Sequence, residues 1–436
     1  MWHVRDVIVL SDLHLSSDSP GRGLFGADEA LEEFLLWTVE QTSHCAVVLN
    51  GDVLDFLFAE SRPGLDPVKL EREVGAIVES HRPVFKALGK LARSPRHSLV
   101  IISGNHDPEL IFQGVRLKIE AALGANGRRP SVTWLVHGEA LALAVGHARL
   151  LVEHGDRLDS WNEIDRENLS SAAGLGSRGL IDYHKYAPPP GSKLVSDHLL
   201  SLRGSFPWVE LLKPEREAML PLLRLLTTFR EKSEHAAALN LYLQAEVRSG
   251  LTKLRQWQDP AARFRRGDDA GSLGGKLRAM AQAAVQTRGE LKRAELITQL
   301  REAARNDTFF REDVPDGDYA ADLQFLLRKG ASDLLIHGHT HSAKAYPVGR
   351  GMYFNSGTWA RLLRLPGADD GRAVWDEFLK SIETNQYDVV ERPTFVRVTL
   401  DHDETTKAAL HLWPREEPLA LWHFAERRWV DQRRGF

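Results

Sequence analysis

Five short, mostly β-branched runs in this chain each break off into a cluster of Asp, His, Asn and Gly. Val7-Ile8-Val9-Leu10 precedes Asp12-Leu13-His14, and Ala46-Val47-Val48-Leu49 precedes Gly51-Asp52 and Asp55. Leu99-Val100-Ile101-Ile102 precedes Gly104-Asn105-His106-Asp107, and Leu150-Leu151-Val152 precedes His154-Gly155-Asp156. Leu334-Leu335-Ile336 precedes Gly338-His339-Thr340-His341. Apolar runs of this length followed by turn residues read as strands buried on both faces. Amphipathic stretches lie between the first of them: residues 28–42 place Leu31, Phe34, Leu35 and Val39 on one stripe, and residues 67–92 carry Val74, Ile77, Val78, Phe85, Leu88 and Leu91. Strand–helix alternation predicts α/β layers. Every chemically loaded segment follows a strand's C-terminal end, the edge where open α/β sheets bind ligands.

The pattern stops after about residue 160 and returns at 333–336, 352–354 and 394–400. Between the two parts the chain reads as loop and helix without a convincing strand, with a break at Pro188-Pro189-Pro190-Gly191, a Leu-rich run over 199–229 and a long helix over 276–305. From Arg248 to Arg305 there are 13 Lys or Arg against 6 Asp or Glu, so this part is locally basic. The expected organisation is an α/β core over 1–160 and 330–400, a helical insertion or cap over 161–329, and a C-terminal extension over 401–436. Trp422 and Trp429 suggest that the extension docks on the core.

A net charge of −4 argues against a generally basic nucleic-acid binder, though not against a local basic patch. A single cysteine, Cys45, excludes an intrachain disulfide and any CxxC metal site, and points to a reducing compartment. No leader-like N-terminus and no uncharged apolar run approaching ~18 residues is present, so a cytoplasmic location without a transmembrane helix is expected. Gly21-Arg22-Gly23-Leu24-Phe25-Gly26 matches a dinucleotide-binding glycine pattern in letters alone. It does not join a strand directly to a helix, so it reads as a mobile loop near the strand ends.

Asp12, His14, Asp52, Asn105, His154, His339 and His341 together offer carboxylate, imidazole and amide oxygen with no thiolate. That hard-to-borderline set suits Mn, Fe or Zn. Asp12 and His14 are two residues apart, as are His339 and His341, so at an extended strand end each pair would face one site. Seven donors exceed what one tetrahedral ion needs and suit two ions sharing a carboxylate.

The five loaded segments, in this order, resemble the motifs of the calcineurin-like metallophosphoesterase superfamily, and Tyr353-Phe354-Asn355-Ser356-Gly357-Thr358-Trp359 is similar to the strand and turn that follow its last motif. The resemblance implies a layered β-sheet core flanked by helices, and two divalent ions with Mn2+ expected first and Fe or Zn also fitting. It implies that Asp12, His14, Asp52 and His341 hold one ion, and that Asp52, Asn105, His154 and His339 hold the other. His106 would face the substrate, Asp107 would orient His106, and Asp55 would support the ligand shell. The activity implied is hydrolysis of a phosphate ester or pyrophosphate by direct attack of a metal-bridging hydroxide. Such transfer needs chiefly positioning and charge neutralisation.

Glu153-His154-Gly155-Asp156-Arg157-Leu158-Asp159 and Leu10-Ser11-Asp12-Leu13-His14-Leu15-Ser16 also resemble the UDP-2,3-diacylglucosamine hydrolases. That group usually carries Arg at the position of His106 and has a far shorter insertion, so the resemblance supports a hydrolase class rather than that substrate. Asp156 and Asp159 read either as solvated or capping residues or as neighbours of the site. Three other readings stand beside the phosphoesterase: a nuclease gripping through the basic insertion, a lipid-linked pyrophosphatase held at a membrane surface by the Leu-rich segment, and a non-catalytic binding module on the same fold. A helical cap burying its own apolar face is the simpler reading of the Leu-rich segment, and a solvated helix face that of the basic one.

Overall fold

The computed structural model describes residues 2–18, 23–41, 44–59, 65–124, 130–159, 161–179, 186, 188–196, 200–203, 207–214, 293–315, 320–329, 332–415, 417–424 and 428–431. The chain divides into two compact units, one of residues 1–189, 310–361 and 391–436, the other of 190–309 and 362–390. Most of the Leu-rich run and of the basic stretch lies outside the described residues.

The first unit is built on two sheets. In one, β2 (Asp6–Leu10), β3 (Cys45–Asn50), β4 (His97–Ile102) and β5 (Val132–Leu135) run parallel in that order. Antiparallel strands Thr394–Leu400, Thr406–Leu412, Pro418–His423 and Arg428–Asp431 extend this sheet beyond β2 to eight strands. Three of these strands lie after residue 400, with Trp422 buried in the core and paired in register with Trp429. The second sheet has six strands, ordered β1 (Trp2–Val4), β6 (Leu141–Val145), β7 (Ala148–Val152), then Leu334–His337, Gly351–Asn355 and Lys344–Val348.

Side-chain alternation sorts the residues into layers. Val7, Val9, Ala46, Val48, Val100 and Ile102 from the first sheet meet Leu143, Val145, Leu150, Val152, Leu334, Ile336 and Phe354 from the second. The alternate residues Ile8, Leu10, Val47, Leu49, Leu99 and Ile101 face outward onto α1 (Asp28–Gln41), α2 (Pro67–Ser80), α3 (Arg82–Arg93) and α4 (Gln113–Leu123), which contribute Phe34, Val74, Phe85 and Ile119. On the far side Leu335, Tyr346 and Tyr353 pack against Leu323 and Leu327 of the helix Ala320–Lys329. The result is a helix–sheet–sheet–helix α/β unit.

The amphipathic stretch 67–92 is two helices, broken at His81. Pro83 lacks the N–H that a continuous helix would need there. The break is held by the His81 ring, which lies 2.7 Å from Asp28 Oδ1 and 2.8 Å from the Ser16 carbonyl. In the second unit, helix Arg293–Arg305 is tied to helix Arg372–Thr384 by Arg293, which reaches Asp376 at 3.2 Å and Glu383 at 2.8 Å. The two-residue strand Leu212–Lys213 pairs in parallel with Leu363 and Arg364, where the sequence shows no strand signal.

Candidate metal centre

All five loaded loops leave the C-terminal ends of β2, β3, β4, β7 and strand Leu334–His337, and the parallel pairing continues past the strand ends. The Asp12 N–H donates to the Gly51 carbonyl at 3.1 Å, His14 to Asp52 at 2.9 Å, and Leu15 to Val53 at 3.0 Å. The Gly338 N–H reaches the His154 carbonyl at 2.9 Å. These bonds draw loops far apart in sequence onto one another.

The loops are not extended as the two-residue spacing suggests. Asp12, His14, Asp52, His339 and His341 have φ of 54°, 52°, 51°, 70° and 59°, five of the seven non-glycine residues with positive φ among the described residues. Each such residue costs roughly 1 kcal/mol or more, and the concentration of strain at these five marks where the fold holds side chains against their backbone preference. Glycines give the room. A Cβ on Gly104 would lie 2.1 Å from Asp52 Oδ1, and one on Gly51 (φ +85°) 2.1 Å from His154 Nδ1.

The seven expected donors come together. Donor atoms of Asp12, His14 and His341 lie within 4.8 Å of one another, and so do those of Asp52, His154 and His339; His14, Asp52 and His106 form a third such group that links the two. His14 Nε2 is 3.0 Å from His341 Nε2, which is 3.4 Å from Asp12 Oδ1. His154 Nε2 is 3.3 Å from Asp52 Oδ2 and 3.1 Å from Asn105 Oδ1, and Asn105 Oδ1 is 2.8 Å from His339 Nδ1. Asp12, His14, Asp52, Asn105 and His154 are buried, while His339 and His341 are partly exposed.

Outer partners assign the ring protons. His14 Nδ1 lies 3.1 Å from Asp55 Oδ2, His154 Nδ1 lies 2.9 Å from the Asn50 carbonyl, and His339 Nε2 lies 3.3 Å from Asp159 Oδ2. Each outer group is an acceptor, so each outer nitrogen carries the N–H and each inner nitrogen presents a lone pair. With neutral rings, lone pairs of imidazoles would meet carboxylate and amide oxygens with too few protons among them. Nitrogen and oxygen acceptors converging in a buried space fit divalent cations.

Charge reinforces this. Burial works against a charged His154, yet Asp52 beside it pushes the ring up to about 10. Burial likewise opposes charge on His106, but Asp55 and Asp52 raise it to about 9. Burial raises Asp12, only partly offset by His154, whereas His154 and His106 hold Asp52 well below the usual carboxylate range despite its burial. The carboxylates pull protons onto the histidines, in the place a cation would take.

One expected role needs correction. Asp107 does not touch the His106 ring. Its carboxylate accepts the backbone N–H of Gly104 at 2.6 Å, of Val53 at 2.8 Å and of Leu54 at 3.3 Å, tying two loops together. The carboxylate on the ring is Asp55, whose Oδ1 lies 3.3 Å from His106 Nδ1. Asp55 thus serves His14 and His106 at once. Where the glycine segment is described, Gly23, Leu24 and Phe25 are buried, and Phe25 bridges to Ala360.

His337 turns away from the cluster and meets Glu153 at 3.1 Å. Arg166, which no spacing singles out, holds both oxygens of Asp156 at 2.8 and 3.2 Å and donates to the Ser103 carbonyl at 3.3 Å. It thereby braces the loop of His154 against the strand end that leads to Asn105. Ser11 donates to Asp12 Oδ2 and meets Ser356 Oγ at 2.7 Å.

Residues 6–215 match the family model of calcineurin-like phosphoesterases. That stretch belongs to the calcineurin-like phosphoesterase family. The match takes in four of the five loops, and His339 and His341 reach the same cluster from outside it. The chain is similar to a solved structure of a conserved protein from Streptococcus pneumoniae TIGR4, described as a predicted phosphoesterase, with 10% identity over 94% of each chain and a TM-score of 0.26. So slight a likeness carries no weight here. No curated protein matches the chain.

Proposed function

We propose that this chain is a two-metal hydrolase of a phosphate ester or pyrophosphate. The observation that carries the reading is the convergence of bare imidazole nitrogens, carboxylates and an amide oxygen described above. Asp12, His14 and His341 would hold one ion, and Asn105, His154 and His339 the other, with Asp52 serving both. The donors are nitrogen and oxygen throughout, a set that fits Mn2+, Fe or Zn. Paired cations, when bound, lower the pKa of a bound water and neutralise phosphate oxygens.

The chain's own residues then divide the remaining work. Asp55 holds the Nδ1 face of His106, which directs the rest of that partly exposed ring toward a substrate phosphate. His106 donates a hydrogen bond to the phosphoryl group or its leaving oxygen. Burial of the remaining donors excludes water from all but the open side, where charged groups act most strongly. The nuclease and membrane-surface readings rest mainly on segments outside the described residues, and among the described residues no helix is long and apolar enough to cross a membrane.

A screen of the metal-supplemented protein against generic phosphate mono- and diesters, then nucleotides, nucleic acids and lipid pyrophosphates, tests the reading. Metal-dependent release of phosphate or of a phosphomonoester is expected. No hydrolysis of any of these with Mn2+, Fe2+ or Zn2+ would leave the fold as a binding module.

A further inference from the structure

We propose that Asp159 is a positioning residue that locks the His339 ring, an inference that rests on the two-metal reading above. His14, His154 and His341 turn Nε2 into the cluster, whereas His339 turns Nδ1 inward, 2.8 Å from Asn105 Oδ1. Its backbone is already fixed: φ is 70°, and its N–H donates to both Asp12 oxygens at 3.2 and 3.0 Å. Among the described residues the ring has one outward hydrogen-bond partner to set its plane, Asp159, whose Oδ2 lies 3.3 Å from Nε2.

A neutral imidazole has one N–H and here faces two acceptors. The carboxylate is the stronger, because hydrogen bonds to charged acceptors are roughly twice as strong as neutral ones. The proton therefore sits on Nε2 and leaves Nδ1 bare toward the ion site. Asp159 is itself held in place. Its Oδ1 accepts the Trp161 N–H at 3.0 Å, its Oδ2 accepts from Asn162 Nδ2 at 2.9 Å, and its backbone N–H donates to the Asp156 carbonyl at 3.0 Å. Asp156 is in turn gripped by Arg166 at 2.8 Å. A buried ion pair thus anchors a short turn whose end carboxylate aims one ligand. Groups that orient ligand imidazoles in this way commonly set metal affinity by roughly 10–100-fold.

Stepwise Zn2+ titration by calorimetry of wild type, Asp159→Ala and Asp159→Asn tests the proposal. Asp159→Ala is expected to weaken one of the two ions about 10–100-fold and leave the other unchanged, since His339 belongs to one group alone. Asp159→Asn, which keeps an acceptor oxygen, is expected to recover most of that loss. Wild-type affinity for both ions in Asp159→Ala would overturn it, as would an equal loss of both. The wild-type protein gives a second readout that no misfolded variant can obscure. The ring nitrogen shifts of His339 by NMR should show the proton on Nε2, with or without Zn2+, and a proton on Nδ1 would overturn the proposal. Failure of wild type to bind any divalent ion would instead sink the two-metal reading, and the ion-free ring shifts would still decide the role of Asp159.

Discussion

His14 Nε2 and His341 Nε2 face each other at 3.0 Å across 327 residues of sequence. Two imidazole nitrogens at that distance must share either a proton or a cation. Asp55 takes the other N–H of His14, so the inner nitrogen has a lone pair to offer. A divalent ion between these rings and Asp12 should stabilise the folded state by mass action, by about 2.7 kcal/mol at a hundredfold excess over Kd. Thermal melts with Mn2+ or Zn2+ should rise with ion concentration and fall back on chelation. A melting temperature indifferent to both ions and to chelator would contradict this.

Asp55 and Asp107 are both buried carboxylates, yet their losses should read differently. Asp55→Ala removes the partner of His14 and His106, and is expected to lower metal affinity and turnover by roughly 10–100-fold. Asp107→Ala leaves the Gly104, Val53 and Leu54 N–H groups without their acceptor. At about 1–3 kcal/mol for each buried donor left unmade, that variant should lose ~3 kcal/mol or more of stability in urea unfolding. Equal stability of the two variants would refute the distinction.

Gly104→Ala places a methyl group where Asp52 Oδ1 sits, at 2.1 Å. The Asp52 backbone nitrogen lies 2.6 Å from the same point, so the residue and its carboxylate must move together. The variant is expected to fold, to bind fewer than two ions by elemental analysis and to lose turnover. Wild-type ion content would show that Asp52 has more freedom than its packing implies.

His411 supplies a pH test remote from the cluster. It stacks on Phe395 at 5.0 Å, and burial, with Arg397 nearby, pushes its ring down from 6.5 to about 4. A ring held neutral in the fold contributes stability that is full above 6.5 and is lost as pH falls from there toward about 4. His411→Phe should flatten that part of the stability profile measured by denaturant unfolding. A profile of the same steepness would place the acid sensitivity elsewhere.

The layers and the loop set were legible because each β-branched run is continuous and ends abruptly in Gly, Asp, Asn or His, a pattern that needs no knowledge of register. That Asp12 and His14 face one way together, and His339 and His341 likewise, followed from spacing, but for the wrong backbone: the residues are left-handed, a state that spacing does not encode. Asp55 and Asp107 were each read as neighbours of the site, yet which of them meets His106 depends on the direction of a turn after β4. Asp159 reads in sequence either as a solvated or capping residue or as a neighbour of the site, and Arg166 gives no signal, since a guanidinium that acts through another side chain looks, in sequence, like any surface charge. The break at His81 was written in Pro83, while β6 escaped because Ala142 and Ala144 are apolar too, so its two faces read alike.

Elemental analysis joined to turnover, on wild type, Asp52→Ala and His106→Ala, bears most directly on the paired-ion site. Wild type should carry two divalent ions per chain, Asp52→Ala neither ion and no turnover, and His106→Ala both ions with most turnover lost. Undiminished ion content and activity in Asp52→Ala would contradict a shared carboxylate at the centre of this cluster.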